Sequence, residues 1–352
     1  RDLDIEYAKI WAGGSPLQDI CPAELLDRWL KASSRGTAFL QSFRESKVSL
    51  DDACFYDLVP RKFLLEYFGI KNDICEWVFN HHKKPENHDF IVEVCGMIDG
   101  IKNRKLQLRS GNLDFINPSV RNTFKKIKNA NPYIEYNPWG TLTGRLTTTP
   151  ESFPILTLNK ELRDVLLPNN DMFVELDYNS AELRVLLGLL GEDQPEDDIH
   201  TSISKNIFND KYSREETKKK VFSWLYNPKA QNKKLNTYLR RDEVLKKHYD
   251  GNEVYTPFGR KIQAPEEKAV NYLIQSTASD LLLTSAIKID KMLKDKKSFL
   301  SFCIHDSLVI DFCKDDRAVL DEIMSVFSDT KFGNFKSNLS VGKSFGNMRK
   351  IL

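Results

Sequence analysis

Apolar residues fall into distinct textures along the chain. Up to about residue 110 they recur at helical spacing. PAELLDRWLKAS, residues 22 to 33, opens with Pro at a favoured first-turn position and spaces Leu25, Leu26, Trp29 and Leu30 along one face. Similar stripes run through PRKFLLEYFGI and DFIVEVCGMIDGIKNRK, the second ending in basic residues that suit a helix C-terminus. From Asn131 the pattern changes. NPYIEYNPWGTLTGRLTTTP mixes Pro, Gly and β-branched residues and predicts short strands and turns. FVELD, residues 173 to 177, reads as a largely buried strand running into an apolar helix. A helical basic region follows to about residue 250, then YTPFGRKIQAP as a strand–turn segment and a helix around residues 265 to 294. Finally FLSFCIH and LVIDFC meet at Asp306-Ser307 and predict a β-hairpin. No internal repeat is visible. Helical ends around a mixed, mostly antiparallel middle indicate an α+β protein.

Composition narrows this modestly. At 352 residues the chain is long enough for two or three domains. With 41% hydrophobic and 29% charged residues it can bury a sizeable core. The net charge of +2 says little, but its distribution says more. Between Lys211 and Lys247 there are twelve Lys or Arg against four Asp or Glu, an excess of the kind that attracts phosphate. The six cysteines form no CxxC pair and no zinc spacing, which fits a reduced, intracellular setting. No apolar run approaches the roughly 18 residues of a membrane span, so no membrane partner is expected. The first residues lack a signal-peptide pattern. A start at Arg1 rather than Met suggests a fragment or a chain without its beginning.

Three stretches could carry chemistry. Asp177 closes the FVELD strand, where a sheet commonly presents functional groups. Asn179 can cap the following helix, and Glu182, three residues on, completes a capping-box pattern. Asp306 lies at the hairpin tip, where Asp-Ser is also ordinary turn chemistry. If the two strands share a sheet, Asp177 and Asp306 could hold two Mg²⁺ ions for an in-line phosphoryl displacement. In SREETKKKVFSWLYNP, Ser213 and Glu216 form a capping box and Pro228 marks a stop. Arg214, Lys218, Phe222 and Tyr226 recur every fourth residue there, a slowly drifting stripe about 18 Å long. Two cations followed by two rings match a nucleoside triphosphate laid alongside, although an amphipathic helix with a solvated basic end has the same pattern.

Together these pieces resemble one family. DYNSAELR is similar to motif A of the family A, DNA polymerase I-like, DNA polymerases, and CIHDSLVI to motif C. The Arg214–Lys218–Phe222–Tyr226 helix resembles that family's fingers helix at all four defining positions. LTGRLTTTP, DDIHTSI, FGRK and NYLIQSTASD are smaller signatures, in the expected order, so the resemblance covers about residues 110 to 352. It implies a right-hand polymerase with an antiparallel palm sheet, helical fingers and a helical thumb. The expected division is a helical N-terminal remnant at 1–58, thumb 59–137, palm 138–198 and 252–352, and fingers 199–251. It implies template-directed addition of deoxynucleotides to a primer 3′ end, with Mg²⁺ (two ions, Mn²⁺ as a substitute) on Asp177 and Asp306. Lys218 joins those two as a catalytic residue. Arg214, Lys218 and His200 would hold the triphosphate, Phe222 would pack on the incoming sugar and base, and Tyr226 would sit near the template base. Glu182 would be the steric gate against a ribose 2′-hydroxyl, a role compatible with capping. Arg145, Asn271 and Gln275 would touch the primer-template along its minor groove, and His305 would lie near the primer terminus. Partners would be primer-template DNA, deoxynucleoside triphosphates and replication accessory proteins. The setting would be the cytoplasm of a bacterium or phage-infected cell, with an organelle left open.

The sequence departs from the family in places. Ser307 stands where the family usually has a third carboxylate, which predicts weakened metal affinity rather than lost activity. Asn227 replaces a Gly after the fingers Tyr and tolerates the left-handed backbone. Ser180 and Ala181 replace larger motif A residues, and only 31 residues separate Tyr226 from Phe258, few for complete fingers. Asp4-Ile5-Glu6 has a proofreading-like D-x-E pattern, but there is no room for an exonuclease domain before the thumb, so no 3′–5′ exonuclease is expected. The basic stretches KNRK and RNTFKKIK are expected on the duplex backbone, making binding salt-dependent. Two alternatives remain: a single-subunit RNA polymerase-like enzyme, which would lack the Glu182 gate, and a polymerase-derived DNA-binding subunit without catalysis.

Overall fold

Phe173, Val174, Leu176 and Tyr178 are buried, so Met172–Tyr178 (β1) is covered on both faces and sits at the centre of the largest sheet. Glu175 and Asp177 alone interrupt its apolar run from residue 173 onward. The computed structural model describes residues 4–48, 53–109, 123–124, 126–127 and 131–351. The other strands of the sheet are Phe299–Ile304 (β2), Ser307–Phe312 (β3), Ser337–Gly342 (β4) and Met348–Lys350 (β5). Their order is β5-β4-β1-β3-β2, and every pairing is antiparallel. Register places Asp177 opposite Ser307 on one side and Asn338 on the other. The hairpin turns on His305 and Asp306, one residue earlier than the apolar runs suggest. His305 takes a φ of 51°, and Ser307 becomes the first residue of β3, paired with Ile304.

The helices used below are, in chain order, Glu6–Trp11 (α1), Ala23–Glu45 (α2), Arg61–His81 (α3), His88–Lys102 (α4), Ala181–Leu190 (α5), Ile199–Phe208 (α6), Arg214–Tyr226 (α7), Lys233–Leu239 (α8), Arg241–His248 (α9), Glu266–Met292 (α10) and Leu320–Ser328 (α11). The chain divides into two compact units, Arg1–Val92 and Glu93–Leu352. In the first, Ile5, Ala8, Leu17, Trp29, Ala32, Ile70, Ile74 and Val78 form the core. The buried face of α2 therefore runs through Trp29 and Ala32, seven residues beyond Leu25 for the latter. Leu30 is 37% exposed and does not share that face. A period of 3.6 puts position 30 about 100° around from 29, which the sequence stripe had merged.

In the second unit α10 is the central helix, its later turns buried at Leu281, Leu282, Leu283, Ala286, Ile287 and Ile289. It packs against α5, α7 and α11 and beneath β2. Tyr178 locks β1 to it. Its hydroxyl meets Ser285 Oγ at 2.8 Å, donates to Phe327 O at 2.9 Å, and its ring stacks on Phe327 with centroids 4.1 Å apart. YTPFGRKIQAP forms the expected ribbon, Glu253–Tyr255 paired with Lys261–Gln263. No helix among the described residues is long and apolar enough to cross a membrane.

Of the basic stretches expected on DNA, Lys102 pairs with Glu135 at 2.6 Å and Arg104 lies 4.2 Å over the Phe299 ring. Most of RNTFKKIK lies outside the described residues.

Candidate active site

Two carboxylates 129 positions apart in sequence become neighbours through strand pairing alone. Asp177 is the penultimate residue of β1, beside the β2–β3 turn that carries Asp306. Burial pushes the Asp177 carboxyl up to about 6; a bond from Asn338 Nδ2 at 3.1 Å works against this, and the charges of Glu175 and Asp306 add to it. Glu175 lies two residues earlier on the same face and accepts from Ser307 Oγ at 2.9 Å. The hydroxyl at position 307 thus binds a neighbouring carboxylate where a carboxylate was expected.

Glu182 does not complete the capping box expected with Asn179. Ser180 is the N-cap of α5, held at φ 57° with no side-chain cap bond. The left-handed residue turns Asn179 away from the helix end, and its Nδ2 donates instead to Asp198 at 2.9 Å. Glu182, with a side chain only 15% exposed, receives Arg145 Nη2 at 3.1 Å, and the same guanidinium reaches Asp306 at 3.9 Å. Arg145 has a firm mount. Gly144 sits at φ 72°, where a Cβ would come within 2.4 Å of Arg260 Cζ, and Arg260 forms a forked pair with the wholly buried Asp280.

Helix α7 starts with the expected capping box, Ser213 with Glu216, and stops at Tyr226. Its core face is Thr217, Val221, Trp224 and Leu225, so Arg214, Lys218, Phe222 and Tyr226 line a different side, exposed at the basic end and half-buried at the rings. Phe222 and Tyr226 lie parallel with centroids 6.0 Å apart. The Tyr226 hydroxyl is pushed up by burial and then by the Glu182 carboxylate. Asn227 is extended at φ −102°, so the left-handed backbone is not needed there. The nearly buried Arg241 closes the helix instead, donating to Trp224 O at 2.6 Å and Asn227 O at 3.1 Å.

His200 packs against Phe222, 5.7 Å between centroids, and is 1% exposed. Neither ring nitrogen has a hydrogen-bond partner among the described residues. Burial lowers its pKa to about 4; Asp198 opposes that, and Arg214 and Lys218 reinforce it. The ring is therefore neutral at physiological pH.

Asn271 and Gln275 lie one turn apart on α10, and one turn further Ser279 donates to Gly144 O at 3.1 Å, beside Arg145. The three primer-template candidates on α10 and its neighbouring loop therefore form one line. A cavity of about 330 Å³ next to it is lined by Arg145, Leu146, Leu282, Cys303, His305 and Asp306 among others. Sequence reasoning missed Asn338, Arg184, Arg241, Asp198 and the Arg260–Asp280 pair. Arg184, Asp198, Arg260 and Asp280 lie inside the stretches DYNSAELR, DDIHTSI, FGRK and NYLIQSTASD, but each acts on a partner defined by folding, which the spacing does not reveal.

The chain is similar to DNA polymerase I of Chloroflexus aurantiacus, 25% identical over 278 residues, covering 62% of this chain and 29% of that protein. It is 24% identical over 234 residues to the thermostable DNA polymerase I of Thermus aquaticus, with 52% and 28% covered. It is 25% identical over 249 residues to the DNA polymerase of Bacillus phage SP01, with 51% and 27% covered. No protein-family model matches the chain. The chain spans less than a third of the length of the curated relatives it matches. Among solved structures, the polymerase domain of Pol1 from M. smegmatis, in complex with DNA primer-template and dNTP, matches with a TM-score of 0.51 and 15% identity. That match covers 82% of this chain and 56% of the other. The fold is that of a polymerase domain. In sequence the chain is similar to DNA polymerase I proteins of the family A type.

Proposed function

We propose that the chain is a template-directed DNA polymerase that adds deoxynucleotides to a primer 3′ end and releases pyrophosphate. The observation that carries this is the β1–β3 register. It brings Asp177 and Asp306 to one end of the sheet, where Glu182, Arg145 and Tyr226 gather. The donor chemistry fits Mg²⁺, a hard cation usually held by one or two carboxylates plus substrate phosphates. Asp177 is driven up by burial and by two neighbouring acids, a penalty that a divalent cation would relieve. Asp177 and Asp306 would hold two such ions, which stabilise the attacking and leaving oxygens.

The residues of the chain do the rest. Arg214 and Lys218 present cations at the exposed end of α7 for the triphosphate. His200, neutral and packed against Phe222 with both ring nitrogens buried, would offer an imidazole N–H to a phosphate oxygen without an added charge once Phe222 shifts to admit it. The primer 3′-hydroxyl gives up its proton to solvent water as its oxygen attacks the α-phosphorus. The bond to the bridging oxygen then breaks, and pyrophosphate leaves with the electron pair, its charge met by Lys218. Phe222 and Tyr226 pack on sugar and base, and Glu182, braced by Arg145, fills the space of a 2′-hydroxyl. Arg145, Asn271, Gln275 and His305 follow the primer-template. The same proposal assigns residues 59–137 to the thumb, 138–198 and 252–352 to the palm, and 199–251 to the fingers. It includes no exonuclease: Asp4 is occupied by Lys9 Nζ and Leu17 N, both at 2.8 Å.

The test is primer extension with Mg²⁺, comparing wild type, Asp177→Ala and Glu182→Ala with deoxy- and ribonucleotides. Wild type should extend with deoxynucleotides, Asp177→Ala should not extend, and Glu182→Ala should admit ribonucleotides. Binding of primer-template without extension by wild type would leave the DNA-binding subunit as the account. Ribonucleotide preference by wild type would leave the RNA polymerase-like one.

A further inference from the structure

One carboxylate outside the residues assigned above gathers donors from three separate pieces of chain. Asp198 Oδ1 accepts from Thr201 N at 2.9 Å and Thr201 Oγ1 at 3.0 Å, capping α6. Its Oδ2 accepts from Asn179 Nδ2 at 2.9 Å and from Arg214 Nη2 at 2.8 Å. Asn179 lies two residues beyond Asp177, and Arg214 is the first residue of α7. The mount is rigid. Wholly buried Arg184 donates Nε to Asn179 O at 2.8 Å, Nη1 to Pro195 O at 2.8 Å and Nη2 to Asp197 O at 3.0 Å.

Most exposed ion pairs contribute little, because both side chains must be immobilised to make them. Here the Asp198 carboxylate, 22% exposed, is already fixed by Thr201 and Asn179, so only Arg214 has to be ordered. Burial opposes the Asp198 anion, but the bonds from Arg214, Asn179 and Thr201 outweigh it and hold the carboxyl well below its usual range. Arginine carries five N–H donors. Asp198 and Glu215 take one from each terminal nitrogen, which leaves the Nε hydrogen and one on each Nη for a phosphate.

We propose that Asp198 is a positioning residue for nucleotide binding. It ties the end of the strand that bears Asp177 to Arg214, so that this guanidinium is held ready for the triphosphate at a set distance from the carboxylate site. The inference rests on the polymerase reading and deepens it. Pre-organisation of this kind reduces the ordering cost of binding. Two simpler roles make different predictions: a carboxylate that competes with phosphate for Arg214, and a helix cap with no effect on nucleotide.

The test compares wild type, Asp198→Asn, Arg214→Ala and the double variant. KM for deoxynucleotide, kcat, the inhibition constant of pyrophosphate and the unfolding midpoint are measured for each. Asp198→Asn keeps the acceptor for Thr201. The Asn179 amide can turn so that its Oδ1, unpartnered among the described residues, accepts from the new Asn. Only the Arg214 tether is then lost. KM and the pyrophosphate constant should each rise about tenfold, with kcat changed less. In the Arg214→Ala background the same substitution should add less than about twofold, because the two residues act as one unit. A lowered KM would establish competition and overturn the proposal; effects that simply multiply would overturn it too. If Asp198→Asn does not fold, Asn179→Ala replaces it: a pyrophosphate constant raised about threefold supports the proposal, and an unchanged one refutes it. Wild type is measured first, since a wild type that neither extends a primer nor responds to pyrophosphate would fail the polymerase reading rather than this inference.

Discussion

Asp177→Asn should stabilise the metal-free protein at neutral pH while abolishing extension. In the folded state the Asp177 carboxyl titrates at about 6, against an ordinary value of 3.8. Between those values the folded chain keeps a proton that the unfolded chain has released, so stability falls as pH rises through the window and the deficit is complete above about pH 6. Two units at 1.36 kcal/mol each make the deficit about 3 kcal/mol. Burial is the largest cause, followed by the opposing Asn338 bond and then the repulsion from Glu175 and Asp306, and replacing the carboxylate by an amide removes the charge on which these act. The assay is chemical denaturation in chelator, followed by circular dichroism, at pH 4 and pH 7.5. The variant should exceed wild type by up to about 3 kcal/mol at pH 7.5 and match it at pH 4, where wild type is itself protonated. Mg²⁺ should recover part of the gap for wild type only, because it binds the folded carboxylates. A variant no more stable at pH 7.5, or a gap of equal size at both pH values, would refute the reasoning.

Two further substitutions probe the scaffold of the site. Gly144→Ala places a methyl within 2.4 Å of the Arg260 guanidinium at a φ of 72°. It should cost about 2 kcal/mol in denaturation and weaken primer-template binding through a displaced Arg145, whereas an unchanged affinity would detach Arg145 from the primer. Tyr178→Phe keeps the stack on Phe327 but strands Ser285 Oγ and Phe327 O. The loss should be about 1–2 kcal/mol in the same denaturation assay, with KM for deoxynucleotide unchanged because the hydroxyl faces the core.

Local physics made the elements legible. The Ser213–Glu216 box and Pro228 bound α7, and a four-residue spacing placed Arg214, Lys218, Phe222 and Tyr226 together on its side, because capping and helical periodicity act within a few residues. The strand ending at Asp177 and the hairpin near Asp306 were legible for the same reason, although the turn came one residue early once Ser307 had paired with Asp177. Where local rules overreached, a distant partner won. Asn179 looked like a helix cap but serves Asp198, and Leu30 was merged with a face that belongs to Trp29 and Ala32.

By itself, then, the sequence determined which short segments form helices and strands, which residues have the chemistry for phosphate and metal, and which family they resemble. Tertiary structure alone decided that Asp177 lies beside Asp306, that Arg145 braces Glu182, that Arg241 closes α7, and that Asp198 joins two elements to a guanidinium. Those relations depend on strand register and on where long side chains land across loops of tens to over a hundred residues. No periodicity carries that information, because it exists only after the core has packed.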